Sequence, residues 1–254
     1  MTSMDIISDL HQDYWDLRLK FNHSSPRDRS HAPFNLVPTP GADILIVAGD
    51  ISDDIGLSLE YLKIWKRHYK FVLFVDGNHE HKLVMPALYD THTIGKEMTK
   101  PEYKGIFYLP TRPFMINRTA FIGISGWWNY YGGAGEKTKD LKVRIIRQAS
   151  NDYAYIKQML YHLEINVNIE RIVVITHTVP TKSCTQPEYI GRQYNGLMQE
   201  IIDSGVYKKL THWIFGHTHV KYNKTENGIK LICNPRGTPS DFGRIFYKQL
   251  PLVI

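Results

Sequence analysis

Residues 70–81 read Lys-Phe-Val-Leu-Phe-Val-Asp-Gly-Asn-His-Glu-His. Phe71–Val75 is a continuous apolar run of strand length, of the kind that becomes a strand buried on both faces. Immediately beyond it stand an amide, carboxylates and two imidazoles. Asp, Gly and Asn are also ordinary turn formers, so this stretch alone reads equally well as a turn. What separates the two readings is whether other strands end in the same chemistry.

They do. The run Met4–Ser8 is followed by Asp9 and His11, and Ile44–Ala48 by Gly49, Asp50 and Asp53. Within and after Ile172–Thr176 come His177 and Pro180, and after Trp213–Phe215 comes Gly216-His217-Thr218-His219. Counting Phe71–Val75 with its Gly77-Asn78-His79-Glu80, five apolar runs end in Asp, Asn or His, and three have Gly just before the polar group. Glycine lets a backbone turn sharply and approach a ligand closely. Each element alone is weak: a single His on an apolar strand is ordinarily a satisfied core residue. Together they carry more, because ligands of α/β sheets collect beyond the carboxyl ends of strands. Carboxylate oxygens with imidazole nitrogens suit Mn, Fe and Zn, and the lack of any thiol argues against a structural zinc site.

Further runs at Ala120–Ile124 and Leu231–Cys233 complete the set of strands. Helical spacing places helices over Leu57–Tyr69 and Asn151–Leu163, the latter capped by Asn151 or Asp152. Strand and helix alternate in the first half, so the class is α/β. Element order by itself predicts one open parallel sheet.

The 254 residues suffice for one large core, and neither a repeat nor a composition break marks a second domain, so 1–254 reads as a single domain. With 43% apolar and 22% charged residues the composition is that of an ordinary globular chain. No apolar run reaches the ~18 residues of a membrane span. The N-terminal MTSMDIISDLH carries no secretion-type pattern. Cys184 and Cys233 have neither metal nor redox spacing and read as reduced thiols of a cytoplasmic protein. The net charge of +6 suits an anionic substrate.

Asp-x-His at 9–11, Gly-Asp-x-x-Asp at 49–53, Gly-Asn-His-Glu at 77–80, the strand-end His177 and Gly-His-x-His at 216–219 stand in this order. This set resembles the signature of the calcineurin-like metallophosphoesterase superfamily. The Trp213-Ile-Phe-Gly-His-Thr-His, Asn234-Pro-Arg-Gly and Trp127-Trp128 stretches look like its small single-domain bacterial and phage members. The resemblance implies an α/β fold of four layers, two β-sheets packed as a sandwich and flanked by helices, with the site at one edge. It also implies two divalent or transition metal ions (Mn, Fe, Zn or Ni, with Mn expected to support activity). One would be held by Asp9, His11 and His219, the other by Asn78, His177 and His217, with Asp50 shared. Two cations ~3.5–4 Å apart need a shared anion. The implied reaction is hydrolysis of a phosphodiester or phosphomonoester by a hydroxide held between the metals. His79 is then the general acid that protonates the leaving group, and Asp53 the carboxylate that orients it. The alternative for Asp53 is a turn or helix cap, a place Ser52 or Asp54 also fits. His81 matches no family role.

Two stretches resist regular elements: Gln12–Ala42, with Pro26, Pro33, Pro38, Pro40 and a basic cluster at 26–31, and Ser125–Asp140, SGWWNYYGGAGEKTKD. Both follow strands that end near the expected site, so both are expected to flank it and set substrate choice; the alternative for the first is a solvated excursion. The expected partner is a phosphate ester, nucleotides and nucleic acid included, with no membrane. A nuclease is the main competing function, because Trp127, Trp128, Tyr130 and Tyr131 offer stacking surfaces; packing at a loop base is the other reading of these aromatics. Arg236 is a candidate phosphate contact or else a turn residue. A phosphoprotein phosphatase is disfavoured, since no arginine block follows Asp53. A non-catalytic scaffold is disfavoured by the complete ligand set and His79.

Overall fold

The computed structural model describes residues 2–15, 36–84, 91–129, 139–241 and 249–254. Tyr130, Tyr131 and the middle of both long excursions lie outside the described residues. The strands are β1 (Ser3–Ile7), β2 (Ile44–Ala48), β3 (Phe71–Val75), β4 (Ile106–Tyr108), β5 (Phe114–Ile116), β6 (Thr119–Ile124), β7 (Arg171–Thr176), β8 (Leu210–Phe215), β9 (Tyr222–Glu226), β10 (Ile229–Cys233) and β11 (Leu250–Val253). They form two sheets, ordered β11-β1-β2-β3-β4 and β5-β6-β7-β8-β10-β9. The inner strands of each are parallel; β11, β5 and β9 are antiparallel additions.

The single open sheet that element order predicts is therefore not formed, and the expected two-sheet sandwich is. The break lies at a hairpin: Asn117 and Arg118 both take positive φ, 47° and 60°, and fold β5 back on β6 to start the second sheet. Positive φ at both central residues is the twist-matched turn for two adjoining strands. Asn227-Gly228 repeats the device between β9 and β10, with φ of 48° and 80°.

Side chains alternate across each strand, and the central strands are largely apolar on both faces because both are covered; Asp5 of β1 is a buried exception, accepting from the Tyr69 hydroxyl and the Thr39 amide. Met4, Ile6, Ile44, Ile46, Leu73 and Val75 of the first sheet meet Phe121, Val173, Ile175, Ile214 and Ile232 of the second. On the first sheet's other face, Val47, Val72 and Phe74 pack under Leu59, Leu62 and Trp65 of helix Ile55–Trp65. On the second sheet's other face, Ile122, Val174 and Trp213 pack under Ile156, Leu160 and Leu163 of helix Lys139–Ile165 and under Met198, Ile201 and Ile202 of helix Gly196–Ser204. The result is four layers, helix–sheet–sheet–helix.

Both helices differ from the expected bounds. The first begins at Ile55 because Asp54 caps it, its Oδ1 accepting from the amides of Gly56 (2.7 Å) and Leu57 (3.2 Å), and it ends at Trp65. The second starts at Lys139, and Asn151 and Asp152 are interior rather than capping. Its buried stripe runs Leu141, Ile145, Ala149, Asp152, Ile156, Leu160, Leu163, so Asp152 occupies a core position of the helix. No helix among the described residues is long and apolar enough to cross a membrane.

Candidate metal centre

The carboxyl ends of β1, β2, β3, β7 and β8 lie along one edge of the sandwich, and the turns beyond them carry the motif residues. Seven side chains converge: Asp9, His11, Asp50 and Asn78 from the first sheet and His177, His217 and His219 from the second. Ligand atoms of Asp9, His11, Asp50 and His219 all lie within 4.8 Å of one another, and so do those of Asp50, His177 and His217. Asp50 is common to both groups. Five of the seven hold the backbone in the left-handed region: Asp9 (φ 49°), His11 (41°), Asp50 (55°), His217 (72°) and His219 (53°). Such conformations cost ~1–3 kcal/mol each and persist where the surroundings enforce them, commonly at active sites. Gly49, at φ 78°, has no room for a side chain: a Cβ there would stand 2.6 Å from His177 Nδ1 and 2.8 Å from the Gly77 amide nitrogen.

Hydrogen bonds outside the cluster fix which nitrogen of each imidazole faces inward. His177 donates from Nδ1 to the Ala48 carbonyl (2.9 Å), His217 from Nε2 to the Arg192 carbonyl (3.0 Å), and His219 from Nδ1 to Asp241 Oδ2 (2.8 Å). The opposite nitrogens therefore face the interior. His177 Nε2 is 3.0 Å from His217 Nδ1, 3.2 Å from Asn78 Oδ1 and 3.2 Å from Asp50 Oδ2. Four such atoms gathered this closely need positive charge among them, either a proton on His177 Nε2 or a metal cation. In the second group His219 Nε2 is 2.9 Å from His11 Nε2 and 3.7 Å from Asp9 Oδ1, and His11 Nε2 is 3.8 Å from Asp50 Oδ2. Asp9 Oδ2 is buried without a hydrogen-bond partner, and an orphaned carboxylate oxygen inside a protein is costly unless it is paired. The donors thus fit two divalent cations.

Electrostatics agree. Burial pushes His11 and His217 down to about 3, so both are neutral and ready to ligate. At His177 burial also works downward, but the Asp50 carboxylate overrides it and lifts the imidazole to about 10. Asp50 is buried too, yet His177 and His79 hold it well below the ordinary carboxylate range. Without a metal, the His177 Nε2 proton is held by Asp50, and a cation bound there would take the place of that proton.

His79 stands beside the cluster, its ring 4.5 Å from that of His11. Its Nδ1 donates to Asp53 Oδ1 at 2.6 Å, and its Nε2 faces inward, 3.9 Å from Asp50 Oδ2. Burial disfavours the imidazolium, but Asp50 and Asp53 outweigh it and raise His79 above its ordinary value. Because Asp54 caps the helix, Asp53 is free to face His79. Asp53 Oδ2 accepts from Lys82 Nζ (2.6 Å) and Tyr14 (3.1 Å), and its amide donates to Asp13 Oδ2 (3.0 Å).

Three groups that the sequence left without a role prove structural to this edge. Glu80, fully buried, accepts at Oε2 from the amides of Asp50 (3.0 Å) and Gly77 (2.7 Å), and at Oε1 from the Ile51 amide (2.7 Å) and the Ser58 hydroxyl (3.0 Å). It ties the turn after β2 to the turn after β3. Its place in the Gly-Asn-His-Glu block was the available signal. Asp241 orients His219 and lies beyond every motif. His81 is buried, its Nε2 bound to Asp76 Oδ2 at 2.6 Å and its ring edge against Trp127.

The candidate substrate contacts sit differently from the ligands. Trp127 and Trp128 are 2% and 5% exposed and pack with Leu141, Ile145 and Ala149 of helix Lys139–Ile165. Trp128 stacks on His217 (5.5 Å), so the pair backs a ligand and offers little face to a nucleic-acid strand. Arg236 lies over the Trp15 ring (4.1 Å) and donates to Gln12 Oε1 (3.2 Å). Its amide donates to the Ser8 carbonyl (3.0 Å), which makes Asn234-Pro-Arg-Gly a seam between the sheets. Of the long excursions, the described ends do flank the centre: Tyr14 lies 5.6 Å from His11, and Trp128 covers His217.

A sandwich that brings carboxylates and imidazoles from both sheets to a shared edge, arranged for two cations, defines a metal-dependent hydrolase. The chain belongs to the calcineurin-like phosphoesterase family, whose model matches residues 3–221, and it is accordingly a metal-dependent phosphoester hydrolase. A relative in Acanthamoeba polyphaga mimivirus, an uncharacterised protein, is 23% identical over 93% of this chain and 91% of its own. Among solved structures, phosphopantetheinyl hydrolase of Mycobacterium tuberculosis is similar in fold with a TM-score of 0.68, at 16% identity, over 98% of this chain and 95% of that one. A dimetal phosphatase of Danio rerio is similar with a TM-score of 0.57, at 11% identity, over 98% and 91%.

Proposed function

We propose that this protein hydrolyses a phosphate ester at two metal sites, one made by Asp9, His11 and His219, the other by Asn78, His177 and His217, with Asp50 common to both. The observation that carries the reading is the convergence of His177 Nε2, His217 Nδ1, Asn78 Oδ1 and Asp50 Oδ2 at one part-buried point. Two divalent cations bound there supply a water acidified to near-neutral pKa and positive charge for the phosphoryl oxygens. The residues do the rest. Asp50, ionised, balances charge at the middle of the centre. The neutral Asn78 ligand leaves the centre net positive for an anionic substrate.

His79 holds the proton for the leaving group. Asp53 fixes its Nδ1–H and stabilises the imidazolium, so Nε2 is the atom that donates. Lys82 and Tyr14 in turn hold Asp53, which keeps the dyad aligned. Manganese is the metal of choice for a first assay. Trp127 and Trp128 being interior weakens the nuclease reading, and diester and monoester hydrolysis are the two outcomes to separate.

The test is a hydrolysis screen with Mn²⁺, comparing bis(p-nitrophenyl) phosphate, p-nitrophenyl phosphate, cyclic nucleotides and single-stranded nucleic acid, with Asp50→Asn as control. Turnover that needs metal and vanishes in the variant is expected. Turnover that survives exhaustive chelation, or undiminished activity in metal-replete Asp50→Asn, rules the assignment out.

A further inference from the structure

We propose that a cavity beside the metal centre receives the ester arm that stays on phosphorus, so that the substrate is a phosphodiester whose retained arm is a hydrogen-bonding group of nucleoside size. The proposal rests on the phosphoesterase reading with His79 as the acid. The cavity has a volume of about 580 Å³, within the range of small-molecule sites. It opens on the centre, because His217, His219 and the Asp241 that orients His219 form one wall. The segment that follows His177 forms another, and the start of β9 a third.

Its position decides which part of a substrate it takes. Neither His79 nor Asp53 is among its walls; His79 stands against His11 and Tyr14 instead. In a displacement at phosphorus the leaving oxygen must reach the proton donor within hydrogen-bond distance. An arm lodged past His217 and His219 is therefore the arm that remains. A monoester has no such arm.

The lining specifies its chemistry. Gln186, Gln193 and Asn223 bring amides, which both donate and accept, as the edges of a nucleobase do. Gln193 Oε1 already accepts from the Thr185 hydroxyl, so its N–H groups are the ones offered to a ligand. Tyr189 is 48% exposed at this wall, a ring on which a flat group can stack. Tyr222 is held by Glu226 at 2.7 Å, and Lys224 lies over its ring at 5.3 Å, a cationic rim that suits an anionic ester. Asp241 is the one carboxylate in the lining, and it is engaged with His219 and the Thr238 amide.

Two substrates with one leaving group test this: the p-nitrophenyl ester of thymidine 5′-monophosphate and methyl p-nitrophenyl phosphate. They share the nitrophenolate and differ in the retained arm alone. With the Mn²⁺-loaded protein, kcat/KM for the thymidylyl ester is expected to exceed that for the methyl ester by roughly tenfold or more, an increment of ~1.4 kcal/mol. Tyr189→Ala, which removes the ring, and Asn223→Trp, which fills the cavity, are each expected to bring that ratio towards one. Thymidine itself carries no phosphate and so reads the cavity without the metals; its binding, followed by saturation-transfer NMR, is expected to weaken in both variants. Equal kcat/KM for the two esters, a ratio unmoved by both variants, or faster turnover of p-nitrophenyl phosphate than of either diester overturns the cavity proposal and leaves the phosphoesterase reading standing. Absence of turnover of every nitrophenyl ester with Mn²⁺, Fe²⁺, Zn²⁺ or Ni²⁺ overturns both.

Discussion

Replacing Glu80 by Gln changes one atom in the interior, and the cost can be worked from its partners. Each carboxylate oxygen serves a pair of close donors, the Asp50 and Gly77 amides at Oε2 and the Ile51 amide and Ser58 hydroxyl at Oε1, and the Ser52 amide stands 3.4 Å from Oε1 as a third. A glutamine must point its NH₂ at one of these pairs. Towards Asp50 and Gly77 it would face two fixed N–H groups. Towards Ile51 and Ser58 it faces one close N–H, that of Ile51, and the longer contact of the Ser52 amide, while the Ser58 hydroxyl can rotate and accept. The second orientation is cheaper: it leaves the Ile51 N–H unsatisfied, at ~1–3 kcal/mol, and gives up only the weaker 3.4 Å bond from the Ser52 amide. The remaining bonds lose their charge assistance, so a total near ~2–4 kcal/mol is expected. At ~2–4 °C per kcal/mol for a domain of this size, that lowers the melting temperature by ~4–16 °C. Because Ile51 follows Asp50, metal affinity should also fall, by the ~10–100-fold typical of groups that orient ligands. Guanidinium unfolding followed by circular dichroism reads the first quantity and metal titration the second. A loss below ~0.5 kcal/mol together with unchanged metal affinity would refute the role given to Glu80.

His79→Ala should keep its metal and lose ~10²–10⁴-fold in rate on an alkyl ester, and far less on a nitrophenyl ester, whose leaving group needs no proton; equal losses on both would make His79 a phosphate-positioning residue. His177→Ala should reduce both esters alike through loss of metal, which elemental analysis measures directly; a fully loaded His177→Ala protein would contradict the assignment. Asp152, buried in helix Lys139–Ile165, is raised from 3.8 to about 7 by burial, against the bonds from Gln148 and the Gly126 and Trp127 amides. The folded state thus holds a proton that the unfolded chain releases, so Asp152 contributes stability that is full below about pH 4 and lost as pH rises through about 7. Asp152→Asn, with the Gln148 amide turned to accept, should be more stable than the parent at pH 8 and lose that advantage near pH 4; identical pH profiles from denaturant melts would remove Asp152 from the account.

The parts legible in the sequence were those fixed by local pattern. Ile44–Ala48 and Phe71–Val75 were bounded as observed, because both faces of these central strands are covered and every residue is apolar. The ligand cluster was legible because each member follows its strand by one to four residues. Edge strands escaped: β4, β5 and β11 are three or four residues long, and β9, Tyr-Asn-Lys-Thr-Glu, has no apolar face to reveal it. Asp152 was misplaced as a cap because an acidic residue at a helical core position looks like a boundary; its partners, Gly126 and Trp127, are distant in sequence. Glu80 stood inside a motif, but its work on backbone amides has no spacing of its own, and Asp241, which holds an imidazole nitrogen of His219, lies beyond every motif.

The candidate ligands are divided between the sheets: Asp9, His11, Asp50 and Asn78 on one, His177, His217 and His219 on the other. A filled centre is therefore a rivet through the sandwich. Its tightness reports how the two sheets are aligned, and their alignment depends on apolar contacts such as Ile46, Leu73, Val173 and Ile175 well behind the edge. With those residues as ligands, cation affinity and the packing between the sheets would be one mechanical property. A methyl group removed from the middle of the sandwich is felt at its rim as slack in the grip on the ions.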